Sequence, residues 1–252
     1  MLCTIIAFKF LMIFIVANLI LELSGIIMSL KIAIINCYAD QPISAPSAQL
    51  FVNNIPNATI INYCHGEKID DVRQFDGYIV SGSQSCHQDQ DVWIIKLQQL
   101  IKDIHKQDIP CLAVCFGHQL VAHIFGGTTI INHAIEEGFQ DVRTKIGEDT
   151  IRLFIGLPNP VKVFQSHYDA VMKAPPGSMQ VIRNEKCVQY YQFGSIYSIQ
   201  SHPEIDIAAA KRFAERDNKE IKALLNGVNE LNIQTYKILE NFTKIVESSI
   251  KY

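Results

Sequence analysis

The run Ile109-Pro110-Cys111-Leu112-Ala113-Val114-Cys115-Phe116-Gly117-His118-Gln119 decides the architecture. Ile109 to Val114 is an apolar stretch of strand length. Gly117 to Phe125 reads as a helix closed by Gly126-Gly127. Almost no loop separates the two, and the junction residue is a cysteine with a glycine two positions on. So sharp a strand-to-helix turn strains the junction residue and lifts its side chain above the sheet edge. The missing side chain at Gly117 lets the backbone turn closely. A thiol at that point sits on a helix N-terminus, which favours thiolate. The N–H of Phe116 points at the same space, where an oxyanion would form. These local effects favour a reactive Cys115 over a buried structural cysteine, although most buried cysteines are inert packing groups.

The same alternation extends to both sides. Leu30–Asn36, Thr59–Tyr63 and Gly77–Val80 read as short buried strands, and Ala45–Ile55 as a helix. Asp91–His105 is the clearest helix, because Ile94, Leu97, Ile101 and Ile104 recur at three- and four-residue steps. Trp93 is expected to anchor that helix in the core. Strands alternating with helices predict an α/β fold with a mostly parallel central sheet covered by helices on both faces. From Thr128 to Gln200 short strands dominate: Thr150–Ile155, Val161–Gln165, Met179–Ile182, Cys187–Gln192 and Ser195–Gln200, some of them adding antiparallel pairs. Two helices are expected beyond, Ala208–Asn226 and Thr235–Ile250.

Composition narrows the function classes. The chain has 252 residues, 48% hydrophobic and 19% charged, which excludes disorder and suits one large domain. A net charge of -3 with scattered basic residues argues against nucleic acid as a partner. Seven cysteines without a paired CxxC set predict no metal site and favour a reducing, cytoplasmic setting. The C-x-x-H spacing of Cys115 and His118 has no second pair. Cys86-His87 lies in a polar loop where neighbours are expected to point apart. His65, His105, His123 and His133 read as surface or helix-packing residues. Residues 1–27 form a hydrophobic extension, with an apolar run from Phe10 to Leu21 between Lys9 and Glu22. Three readings stand for it: an upstream segment that the working protein lacks, starting instead at Met28; a signal peptide; or a membrane anchor. A membrane enters only if 1–27 is retained, and residues 28–252 form the domain.

A thiolate needs a base, and a base needs an orienter. The segment Ser198-Ile199-Gln200-Ser201-His202-Pro203-Glu204 follows a strand and offers both. Residues two apart in an extended stretch share a side, so Glu204 is expected to reach the far ring nitrogen of His202.

Cys115, Gly117, His118 and Gln119, then Ser166, His167 and Asp169, then His202, Pro203 and Glu204 follow in order the motifs C-x-G-H-Q, S-H-x-D and H-P-E. Together they resemble the class I glutamine amidotransferase domain, from about Leu30 to Tyr252. The resemblance implies a flavodoxin-like sheet with added antiparallel strands. It also implies Cys115 as nucleophile, His202 as base and Glu204 as orienter. The Phe116 and Gly82 N–H groups are implied as the oxyanion hole. Gln119, Ser166, His167 and Asp169 are implied as substrate-binding residues, with no cofactor. Many members carry Gly-Gly-Pro where this chain has Ser81-Gly82-Ser83. That form looks more like stand-alone members, either γ-glutamyl peptidase-like or similar to the glutaminase domain of GMP synthase.

The expected reaction is hydrolysis of a γ-glutamyl amide through a γ-glutamyl thioester, with glutamine or another γ-glutamyl compound as substrate. Two alternatives stay open: a γ-glutamyl peptidase, and a non-catalytic homologue that binds glutamine or a partner. The phosphate-loop pattern G-x4-G-K-[ST] is absent. If ammonia is passed on, its acceptor is expected to be a synthase on another polypeptide.

Overall fold

The strands that flank Cys115 are short, apolar and buried, and they stop at the same rim. The structure, a computed structural model, describes residues 30–42, 46–55, 57–133, 136–146, 149–229 and 233–250. The extension 1–27 and its three readings lie outside the described residues. Among those described, no helix is long and apolar enough to cross a membrane.

The core is a seven-stranded sheet. Its strands are β1 (Ile32–Ile35), β2 (Thr59–Ile61), β3 (Gly77–Val80), β4 (Cys111–Val114), β11 (Met179–Arg183), β12 (Val188–Phe193) and β13 (Ile196–Ile199). Their order is β11-β12-β13-β4-β3-β1-β2. The run β2-β1-β3-β4-β13 is parallel, and β12 and β11 continue it antiparallel. This is the doubly wound flavodoxin-like order, extended at one edge by the added antiparallel strands. Every residue of β1, β3, β4 and β13 is buried, as a sheet covered on both faces requires.

The connection from β1 to β2 carries helix α1 (Pro46–Val52), which buries Ala48 and Phe51. Helices α2 (Val92–Lys106) and α3 (Phe116–Ile124) cover one face of the sheet. Ile94, Leu97, Ile101, Leu120 and Val121 pack there on Ala33, Tyr78, Val80 and Ala113. Trp93 is partly buried at the edge of this layer, its ring 5.8 Å from that of Phe116. On the other face α6 (Tyr236–Ser249) comes so close that a Cβ on Gly77 would stand 2.6 Å from a Val246 methyl. A further hairpin pairs β6 (Glu136–Val142) with β9 (Val161–His167), and packs through Phe139 and Phe164 on α4 (Ile207–Arg216). Strand β5 (Thr128–Ile130) pairs with β10 (Ala170–Lys173), and the two-residue strands β7 (Lys145–Ile146) and β8 (Asp149–Thr150) pair with each other.

Two expectations fail locally. The stretch expected as a strand over Thr150–Ile155 holds a 3-10 turn at Arg152–Phe154. Its Leu153 and Ile155 carbonyls are taken by the Asn241 side chain at 3.0 and 2.9 Å, which stands in for a partner strand. The single helix expected over Ala208–Asn226 is two, α4 and α5 (Ile221–Leu225), separated where Asn218 turns to φ 51°. Strands β5, β6, β7 and β10 go beyond the expected set.

Candidate functional site

The sheet order brings the C-terminal ends of β1, β3, β4 and β13 side by side, and the site lies on that rim. Cys115 is the one residue between β4 and α3. It has φ 50° and ψ -102°, a region foreign to L side chains. The turn is held because Cys115 N–H donates to the Ile199 carbonyl at 2.9 Å, tying it to the end of β13. Gly117 is required next: a Cβ there would lie 2.9 Å from the Val80 carbonyl oxygen, so α3 settles this closely on β3 only with glycine. Cys115 is 5% exposed, and its Sγ lies 3.8 Å from the Ser166 carbonyl oxygen.

His202 stands beyond β13, where its N–H donates to the Phe164 carbonyl at 2.8 Å and couples it to β9. Its Nδ1 lies 2.7 Å from Glu204 Oε1, with both side chains buried. The expected contact is present but by another route. His202 and Glu204 share a tight turn, closed by Ile205 N–H on the His202 carbonyl at 3.3 Å, and not an extended strand. Burial pulls the imidazole pKa down, but the Glu204 carboxylate and the Cys115 sulfur push harder. The ring is held well above its ordinary value. Tyr38, in the loop that follows β1, adds a contact that the sequence reading missed: its hydroxyl reaches Glu204 Oε1 at 3.5 Å. Burial first, then that carboxylate, raises the phenol well above its usual range, so it remains a donor.

Gly82 lies against this group. A Cβ on it would come within 2.8 Å of His202 Cε1 and 3.1 Å of the Tyr38 hydroxyl. The preceding Ser81 pins the loop: its hydroxyl accepts from Cys37 N–H at 3.0 Å and donates to the Gly82 carbonyl at 2.9 Å. Phe116 is buried at the first position of α3, where a helix leaves its N–H groups without intrahelical partners.

A cleft of about 270 Å³ opens over Cys115 and His202, lined also by Gln119, Ser166, His167 and Asp169. The Gln119 amide nitrogen donates to the Asp169 carbonyl at 3.0 Å. His167 and Asp169 do not form a base–orienter pair, because His167 Nδ1 meets the Asp169 backbone carbonyl at 2.9 Å. His167 Nε2 instead lies 3.2 Å from buried Glu136. Burial raises the Glu136 pKa, but contacts from His167, Cys187 and Asn184 outweigh it and hold the group low. His118 faces away from the cleft: Ser198 Oγ at 2.8 Å and the Val188 carbonyl at 3.1 Å occupy its two nitrogens, and burial drives its pKa to about 3.

Cys86 and His87 do not point apart. Both turn to the Asp169 carboxylate, and His87 is fully buried against Thr129, its Nε2 2.8 Å from Oγ1. Nothing local in a polar loop signals this; the attraction comes from the turn between β9 and β10.

A strained thiol on a strand–helix elbow, backed by a paired histidine on a flavodoxin-like sheet, defines a class that comparison with known proteins makes specific. The family model "Glutamine amidotransferase class-I" matches residues 45–218. The chain belongs to the class I glutamine amidotransferase family. It is 31% identical over 155 residues to one of the subunits of the glutamine-hydrolyzing GMP synthase of Methanosphaera stadtmanae, covering 60% of this chain and 77% of that one. It is 27% identical over 144 residues to gamma-glutamyl peptidase 3 of Arabidopsis thaliana, covering 54% of this chain and 57% of that one. The fold is shared with a glutamine amidotransferase crystal structure from Thermotoga maritima, at TM-score 0.71 and 21% identity over 86% of this chain and 98% of that one.

Proposed function

We propose that the chain hydrolyses a γ-glutamyl amide, with Cys115 as nucleophile, His202 as acid–base and Glu204 as its orienter. The observation that carries this reading is the convergence of a backbone-strained Cys115 and His202 on one cleft, with buried Glu204 2.7 Å behind the imidazole. The Cys115 thiolate attacks the γ-carbonyl carbon, and the carbonyl π pair moves to oxygen. The N–H groups of Gly82 and Phe116 receive that oxyanion. Collapse breaks the C–N bond while imidazolium His202 protonates the leaving nitrogen, leaving a γ-glutamyl thioester. Water then attacks as His202 takes one of its protons, and the C–S bond breaks to release the thiolate and the γ-carboxylic acid, which gives up its remaining proton to solvent. Glu204 holds the imidazole orientation throughout. Gln119, Ser166, His167 and Asp169 form the wall against which the glutamyl backbone rests.

The test is release of glutamate and ammonia from glutamine by the purified chain, compared with Cys115→Ala. Equal release by both would sink the mechanism. A second reading, cleavage of γ-glutamyl peptides, is favoured by the similarity to gamma-glutamyl peptidase 3. Faster turnover of γ-glutamyl dipeptides than of glutamine would select it. Turnover of neither would leave a binding homologue. The Methanosphaera relative is a single component of its synthase, which favours an ammonia-accepting synthase on a separate chain here too. The free thiols of all six cysteines from Cys37 onward suit a reducing cytoplasmic setting.

A further inference from the structure

Beside Cys115, on the wall of the same cleft, three ligand-type atoms converge from two loops. Cys86 Sγ lies 3.4 Å from Asp169 Oδ2. His87 Nδ1 lies 3.4 Å from the same oxygen and 4.0 Å from Cys86 Sγ. Tetrahedral zinc, with bonds of about 2.3 Å to sulfur and about 2.0–2.1 Å to nitrogen and oxygen, separates its ligand atoms by about 3.3–3.6 Å. The two edges that meet at Asp169 Oδ2 match that spacing, and the third, 4.0 Å between sulfur and nitrogen, closes to it with a shift of about 0.4 Å in the Cys86 side chain. We propose that Cys86, His87 and Asp169 form a zinc site whose fourth position opens into the cleft over Cys115.

The surroundings fit a ligand set. Asp169 Oδ1 is fixed by the Asn132 N–H at 3.0 Å, which leaves Oδ2 turned to the triangle. The buried His87 ring has Nε2 2.8 Å from Thr129 Oγ1. In the tautomer with its proton on Nε2 it donates there and presents the Nδ1 lone pair, the usual outer-shell support of a zinc-bound histidine. Thiolate, imidazole and carboxylate together select zinc over calcium or magnesium. Binding replaces the Cys86 thiol proton, which leaves to solvent, and forms one bond each to sulfur, nitrogen and oxygen. Cys86 and Asp169 line the cleft, so a solvent molecule or a substrate group completes the coordination. Among the described residues a second convergence of ligand-type groups, Glu136 with His167 and Cys187, is buried on all three residues. There Glu136 already accepts from Asn184 at 2.7 Å and Gln189 at 2.8 Å, so its oxygens are committed to protein donors.

The site shares a cleft with a second thiol, so the test removes that thiol first. Cobalt(II), which replaces zinc and reports thiolate coordination by a near-ultraviolet charge-transfer band, is titrated into the Cys115→Ala protein. The band is expected at one equivalent, displaced by zinc, and lost when Cys86→Ser is added. Absence of the band in Cys115→Ala, or its survival without Cys86, would overturn the proposal. Thr129→Val keeps all three ligands and is expected to weaken cobalt binding by about 10–100-fold; unaltered affinity would remove His87 from the site and the proposal with it. In the native chain zinc is expected to stop glutamine hydrolysis, an arm that rests on the hydrolase reading. A chain that binds cobalt in this way but never hydrolyses glutamine separates failure of that reading from failure of the metal site.

Discussion

A single missing methyl group governs the space around His202. Replacing Gly82 by Ala places a Cβ 2.8 Å from His202 Cε1, so the imidazole must leave its position beside Cys115. Displacement of about an ångström costs on the order of 10²-fold in rate, and we expect that loss in kcat with folding retained, checked by steady-state kinetics and circular dichroism. Cys115 itself sits at φ 50° and ψ -102°, where glycine alone is at ease. Cys115→Gly is therefore expected to be more stable than Cys115→Ala by about 1–3 kcal/mol, read from denaturant midpoints; coincident midpoints would argue against stored strain. Glu204 raises the His202 pKa, so its removal lowers it. In the proposed mechanism the imidazolium donates to the leaving nitrogen, so the alkaline limb of the kcat/KM profile should move to lower pH in Glu204→Gln. An orienter's loss costs up to about 10⁴-fold. An unmoved limb would separate Glu204 from His202. At this scale most of the candidate site was legible. Cys115, His202 and Glu204 stand in local patterns whose chemistry is readable from neighbours. Tyr38 and His87 are not, since each meets its partner through topology and has no tell-tale neighbour in the chain.

Elements obey their partners more than their own residues. Strand β6 opens with Glu136-Glu137-Gly138, which no propensity favours as a strand, yet seven register pairs with β9 hold it. The buried carboxylate this introduces is tolerated because Asn184, Gln189 and Cys187 reach it and His167 lies opposite. Glu136 keeps a lowered pKa in the folded chain. Its contribution to stability is full above the ordinary carboxylate range near 4.5 and fades as pH falls through the folded value. Glu136→Gln is therefore expected to lose about 3 kcal/mol near neutral pH, with the gap to the native chain closing in acid. Denaturant titrations at several pH values measure it, and a pH-independent gap would assign the loss to packing. By the same logic the four inner parallel strands, β1, β3, β4 and β13, could be read from their own apolar runs, because both faces are buried and little else suits such residues. The break between α4 and α5 could not, since it depends on one residue, Asn218, entering the left-handed region.

At the scale of the whole chain, the rim of the sheet is assembled from segments far apart in sequence. Tyr38, Gly82, Cys115, Phe164 and His202 stand on five different strands or in the loops that follow them. The parallel order makes each strand depend on a crossover before it can pair, so the site is complete only when β13 has docked beside β4. Under the proposed function, turnover is then a clock for the chain's own maturation. In a refolding experiment, helix signal is expected early, because α2 and α3 rest on local contacts, whereas hydrolysis should return only with the slowest, most non-local step. Return of activity ahead of full sheet formation would contradict this assembly order. A ribosome-bound chain not yet extended past Glu204 should likewise carry its thiol in an inert form, withholding reactivity until the fold is whole.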